Sequence, residues 1–149
     1  LYTKAEAHIR RNNYGQAAAL LAEALKIEPE NTRYLSSMGL CTAMQGGFAA
    51  GERMCRDAIE TAGAEAAPIL YVNLGRIRLK LGDRKSAREN LLKAYQLDPT
   101  HPATALELSV MGVRRKPVIS CLDRDHPLNI YLGRLRHRIS ERRHRGLKK

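Results

Sequence analysis

Residues Tyr71–Pro99 read YVNLGRIRLKLGDRKSARENLLKAYQLDP. Tyr71, Leu74, Gly75 and Arg78 fall at helical spacing on one stripe, and Ala87, Leu91 and Ala94 fall on another. Such spacing places each set on one face of an amphipathic helix. Gly82-Asp83 interrupts the pattern as a tight turn, and Pro99 ends the second helix because proline cannot continue one. The stretch is therefore two short helices folded back on each other.

The pattern recurs along the chain. Ala17 to Gly51 and Leu21 to Cys55 are each 34 residues apart, while Gly51 to Ala87 and Cys55 to Leu91 are each 36. The two extra residues belong in the connection Ala62–Pro68, where a loop insertion costs little. Asn12-Asn13-Tyr14-Gly15 and Gly46-Gly47 supply the other turns, and Asn31 or Thr32 caps the following helix. An aromatic residue, a Leu-Gly, a later Ala-x3-Leu and a closing proline at this period resemble the tetratricopeptide repeat. Ala5, Gly39 and Gly75 supply its small residues at close helix crossings; Lys4, Thr42, Arg78, Gly51 and Cys55 depart from the pattern.

The resemblance implies an all-α, right-handed superhelical solenoid of antiparallel helix pairs. Its repeats are 1–31, 32–67 and 68–101, followed by a terminal helix to residue 113. Thr100 is the expected cap of that helix, Pro102 lies in its first turn, and Ala105, Leu108, Val110 and Met111 are expected to face inward. The chain begins at Leu1, inside a repeat, and so reads as a fragment.

Residues 114–149 form a distinct basic extension, expected to pack on the last repeat. Leu128, Tyr131, Leu132, Leu135 and Ile139 mark the apolar face of a helix. Arg134, Arg136, Arg138, Arg142, Arg143 and Arg145 form a basic patch opposite. Residues 1–113 hold 14 Lys/Arg against 12 Asp/Glu, whereas 114–149 hold 12 against 3, so most of the net +11 lies in the last quarter. That asymmetry fits either a solvated helix or an electrostatic footprint for nucleic acid, an anionic membrane surface or an acidic partner.

Hydrophobic residues at 44% and charged residues at 28% exclude a disordered chain, and no apolar run is long enough to span a bilayer. The three cysteines, Cys41, Cys55 and Cys121, lack metal-ligand spacing and are odd in number, which points to a reducing, cytoplasmic setting. No catalytic constellation, phosphate loop or metal set is present, so neither an enzyme nor a cofactor is expected. Cys41 and Cys55 are expected to be neighbours in one repeat, as buried structural thiols.

In tetratricopeptide arrays the first helix of each pair lines an inner groove that takes peptides. Carried over, the groove candidates are Tyr2, Glu6, Ile9 and Arg10, then Arg33, Ser36, Leu40 and Met44. The third repeat adds Ile69, Val72, Asn73, Arg76 and Lys80, and the terminal helix adds Leu106, Val110 and Arg114. Packing between repeats is an equally good reading for Ile9, Leu40 and Val72. The expected function is a non-catalytic scaffold for a peptide with apolar anchors and acidic groups. The alternatives are nucleic-acid association, or self-association as a homo-oligomer, through the C-terminal helix. Chaperone-binding members of the family hold a peptide's terminal carboxylates with Lys and Asn on the first helix, Asn on the third, and Lys and Arg on the fifth. The corresponding residues here are Tyr2, Glu6, Ser37, Ile69 and Asn73, so that clamp is not expected.

Overall fold

The computed structural model describes residues 1–111. Arg114 and the arginines of the predicted basic patch, Arg134 to Arg145, lie outside the described residues, as does the predicted helix that carries Leu128 to Ile139. The described helices are α1 (Tyr2–Arg10), α2 (Tyr14–Ile27), α3 (Thr32–Met44), α4 (Phe48–Ala62), α5 (Pro68–Lys80), α6 (Arg84–Leu97) and α7 (Pro102–Val110). Among the described residues there is no strand. No helix there is long and apolar enough to cross a membrane.

The turns carry the chemistry that reverses the chain. Asn12, Gly46 and Gly82 each have positive φ, at 58°, 106° and 82° respectively, a region open mainly to Gly and Asn. Tyr14 and Gly15, read above as turn residues, instead open α2, because Asn12 alone supplies the reversal. Of the two candidate caps before α3, Asn31 is the one used: its side chain accepts from the Arg33 and Tyr34 N–H groups. The longer connection after α4 contains a short 3-10 turn, Gly63–Glu65, within the stretch expected to hold the two extra residues. Thr100 does not cap α7. His101 does, accepting from the Thr104 N–H through Nδ1, while the Thr100 hydroxyl donates to Asp98 at 2.7 Å.

Helices α1 and α2, α3 and α4, and α5 and α6 form three hairpins, with α3 also against α2 and α5. The hairpin faces bury the predicted residues: Ala17, Leu21, Cys55, Ala58, Ala87, Leu91 and Ala94 are all 3% exposed or less. Helix α5 is surrounded by α3, α4, α6 and α7, so Leu70, Val72, Asn73, Leu74, Gly75 and Ile77 are all buried. The single stripe visible in its sequence is thus only one of the faces it buries. Arg78, a departure from the repeat pattern, reaches Glu52 of α4 at 3.1 Å and ties the second repeat to the third.

On α7, Leu108 and Met111 pack against the Val72–Leu91–Ala94 cluster as expected, but Ala105 and Val110 are exposed and Thr104 is buried instead. Four inward positions were assigned across a range wider than the contact. Among the described helices α7 packs chiefly on α5 and α6, and that contact buries only a narrow stripe of it.

Two turn carboxylates make stability depend on acid. The hydroxyl and backbone N–H of Ser86 donate to Asp83, and those of Thr100 donate to Asp98; these bonds hold both carboxyls below the usual range. A carboxyl with a depressed folded pKa stabilises the fold above its unfolded pKa and loses that contribution as pH falls through its folded value. The melting temperature should therefore fall on acidification from neutral pH into and below the ordinary carboxylate range. Asp83→Asn combined with Asp98→Asn should flatten that dependence, and an unchanged slope would show that these carboxylates do not govern it.

Candidate functional site

Helices α1, α3, α5 and α7 line two neighbouring chambers of one groove, of about 330 Å³ and 630 Å³. The spacing of the lining residues shows how it is made. On α5 they are Ile69, Asn73, Arg76 and Lys80, one stripe at i, i+4, i+7 and i+11, with Leu79 beside Lys80; on α1 they are Tyr2, Glu6, Ile9 and Arg10. Helix α3 contributes Ser37 and Met44, and α7 closes the far wall with Ala103 and Leu106.

Ile9, Arg10, Arg76 and Leu106 border both chambers, giving a middle that is part apolar and part cationic. Arg76 donates to Glu107 of α7 at 2.7 Å, with both side chains less than one-fifth exposed. That partly desolvated pair fastens α7 to α5 and neutralises Arg76, leaving Arg10 and Lys80 as the exposed cations of the larger chamber.

A polar network forms the wall of the smaller chamber. Asn73 is 1% exposed, and its Nδ2 donates to Ser36 Oγ at 3.1 Å and Ser37 Oγ at 3.4 Å. The Tyr2 hydroxyl lies 3.4 Å from Ser37 Oγ, and the Tyr2 ring stacks on Tyr34 at 5.0 Å. Burial pushes the Tyr2 phenol up to about 12; the Ser37 bond opposes this and the nearby Glu6 carboxylate adds to it, so the phenol stays neutral. Behind this wall, Cys55 donates from Sγ to the Ser36 carbonyl at 3.2 Å. Burial raises the Cys41 thiol to about 11 and the Cys55 thiol to about 12, which leaves both protonated and unreactive within one core cluster.

Several sequence candidates belong elsewhere. Ser36, Leu40 and Val72 are fully buried between repeats and do not line the groove. Arg33 is exposed without lining either chamber, and Val110 is 73% exposed outside it. The physical reason is that α3 and α5 are each packed by several helices, which leaves only a thin stripe for the groove. One residue along a helix turns about 100°, enough to exchange Ser37 for Ser36. Glu107 and His101 also line the groove and were not anticipated. Glu107 adjoins Leu106 on α7, so a stripe drawn from Leu106 and widened by one residue would have included it.

The five positions compared with the carboxylate clamp, Tyr2, Glu6, Ser37, Ile69 and Asn73, all line the smaller chamber. They come together, but they carry neither Lys nor Arg.

Residues 1–31 and 69–101 match the family model of the tetratricopeptide repeat. No curated protein matches the sequence. Among solved structures of similar fold is the first TPR of Spaghetti (RPAP3) bound to the HSP90 peptide SRMEEVD. Its TM-score is 0.56 at 17% identity, covering 74% of this chain and 88% of that one. The Arabidopsis OM64 TPR domain gives 0.55 at 19%, with coverages of 74% and 89%. The second TPR domain of human RPAP3, in complex with the HSP70 peptide SGPTIEEVD, gives 0.53 at 15%, with 75% and 92%.

Proposed function

The chain carries tetratricopeptide repeats, and from that premise we propose that it is a non-catalytic protein-interaction module. Repeats 1–31, 32–67 and 68–101 and a terminal helix to residue 113 present one groove, with 114–149 as a basic extension. The groove takes a peptide segment with an apolar anchor and an acidic group. The observation that carries this reading is the stripe of Ile9, Ile69 and Leu106 beside Arg10 and Lys80, which are exposed and make no ion pair among the described residues. Apolar contact supplies affinity, and the cations choose the sign of charge beside it. The peptides in the similar RPAP3 domains each place an apolar residue directly before two glutamates. With no clamp cations at Tyr2, Glu6, Ser37, Ile69 and Asn73, the recognised feature is an internal segment and not a free carboxyl terminus.

A phage-displayed library of random dodecapeptides tests this with the full chain as bait. Enriched sequences should share an apolar residue near Asp or Glu. Leu106→Glu should cut capture about tenfold or more by placing a carboxylate at an exposed position of the groove, where folding does not depend on the leucine. No enrichment above an unrelated helical protein, or enrichment indifferent to Leu106→Glu, would refute the groove as the binding surface.

A further inference from the structure

Two arginines border both chambers, and their surroundings differ. Arg10 is exposed and makes no ion pair among the described residues. The Arg76 side chain is only 19% exposed and donates from Nε to Glu107 Oε1 at 2.7 Å. That bond takes one of its three nitrogens. Among the described residues the buried side-chain polar atoms without a partner are His8 Nδ1 and Arg78 Nε. The terminal nitrogens of Arg76 make no hydrogen bond there either, yet they are not sealed off, and the open space that Arg76 lines is the groove.

Glu107 thus offsets the charge of Arg76 and spares most of its donors. A guanidinium is a planar fork, and with Nε held its terminal N–H groups are fixed in direction. Such donors lose little side-chain entropy when an acceptor arrives, whereas Lys80, exposed on a flexible stem, must first be immobilised. Arg10 supplies the net positive charge that the Arg76–Glu107 pair lacks. Glu6 lines only the smaller chamber and repels a carboxylate from that side. The same chamber presents Ile69, Pro102, Ala103 and Leu106, against which an apolar side chain fits.

We propose that Arg76 is the residue that reads the acid: its terminal N–H groups donate to a carboxylate of the bound segment where the two chambers meet, with Arg10 beside them. This inference rests on the groove reading above and deepens it by naming the specificity-determining residue and the spacing of the ligand. Arg76 stands one turn beyond Asn73, outside the five positions compared with the clamp, and its ligand is an Asp or Glu side chain. Ile9 and Leu106 border both chambers as Arg76 does. The apolar anchor and the acid are therefore close in the segment, within about two residues of each other.

The test takes peptides enriched by the full chain from the dodecapeptide library, synthesised with their acid as Glu or as Gln, and measures binding by fluorescence anisotropy. The Gln form should bind the wild type about tenfold more weakly. Arg76→Gln combined with Glu107→Gln leaves the net charge unchanged, and there the two forms should differ about twofold or less. Lys80→Gln should keep most of the wild-type difference. Arg76→Lys keeps a partner for Glu107, and so keeps α7 on α5, but the single tip of a lysine is spent on that pair. Its difference should fall to about threefold or less. Thermal melts establish that each variant scored is folded. The full difference persisting in a folded Arg76 variant, or vanishing in Lys80→Gln, would overturn Arg76 as the reader while leaving the groove intact. So would enriched peptides whose acid lies far from the apolar residue. Enrichment indifferent to Leu106→Glu would remove the groove, and this inference with it.

Discussion

Gly51→Ala should lower stability by about 3 kcal/mol, at the upper end of what overpacking costs in a close-packed interior. A Cβ at Gly51 would lie 2.7 Å from both Ala43 Cβ and Ala43 N and would press directly on the Gly39 carbonyl oxygen. The contact is reciprocal, since a Cβ at Gly39 would fall 2.7 Å from the Gly51 carbonyl oxygen. These are backbone atoms, so no rotamer change relieves the clash, and α3 and α4 must move apart. Against this, alanine favours the helix over glycine by about 1 kcal/mol. The clash wins because separating the helices also opens the core around Cys41, Ala43 and Cys55. A urea-unfolding series measures the difference, with Gly15→Ala as control; a Cβ there meets nothing within 4 Å, so that change should be neutral or stabilising. Equal behaviour of the two variants would mean that the α3–α4 approach is not tight.

The second large effect is Leu91→Ala, expected to cost about 3 kcal/mol for lost burial and the cavity left behind. Leu91 is fully buried beside Val72 and Ala94, and its Cγ and Cδ2 would stand 3.1 and 3.2 Å from a Cβ at Gly75. Gly75→Ala should therefore destabilise the wild-type chain, because the leucine must shift to admit the methyl. In the Leu91→Ala background the same methyl enters the vacated space, and the penalty should vanish or reverse. Contacting residues are expected to couple in this way by about 1 kcal/mol. Strict additivity in the double-mutant cycle would disprove the packing of α5 on α6 through this pair.

Most helix boundaries were legible because they depend on local chemistry. Asn12, Gly46 and Gly82 mark reversals through their backbone freedom, Pro68 and Pro102 sit where a helix can begin, and Asn31 caps with its own side chain. The exception at α7 is instructive. Thr100 and His101 are adjacent candidates, and the Thr100 hydroxyl is taken by Asp98, which leaves the imidazole to accept from Thr104. Two neighbouring polar side chains cannot be ranked without knowing which partner each has already found.

The groove was half legible. Tyr2, Glu6, Arg10, Asn73, Arg76 and Lys80 follow from the first-helix positions of a repeat, and all six line it. Ser36, Leu40 and Val72 failed for a common reason: each lies on a first helix, but on a side that another helix covers. Cys55, which departs from the repeat pattern, is buried where the pattern has an apolar residue, with Sγ bonded to the Ser36 carbonyl.

By itself, then, the sequence determined the helices, the turns that pair them and the period at which pairs repeat. Those features are set by hydrogen bonding and side-chain geometry within a few residues of each other. Only the tertiary structure decided which faces of α3 and α5 remain open, that Glu107 neutralises Arg76, and that Glu6 and Asn73 line one chamber. Burial and charge compensation are properties of residues brought together from distant parts of the chain, and no local pattern encodes them.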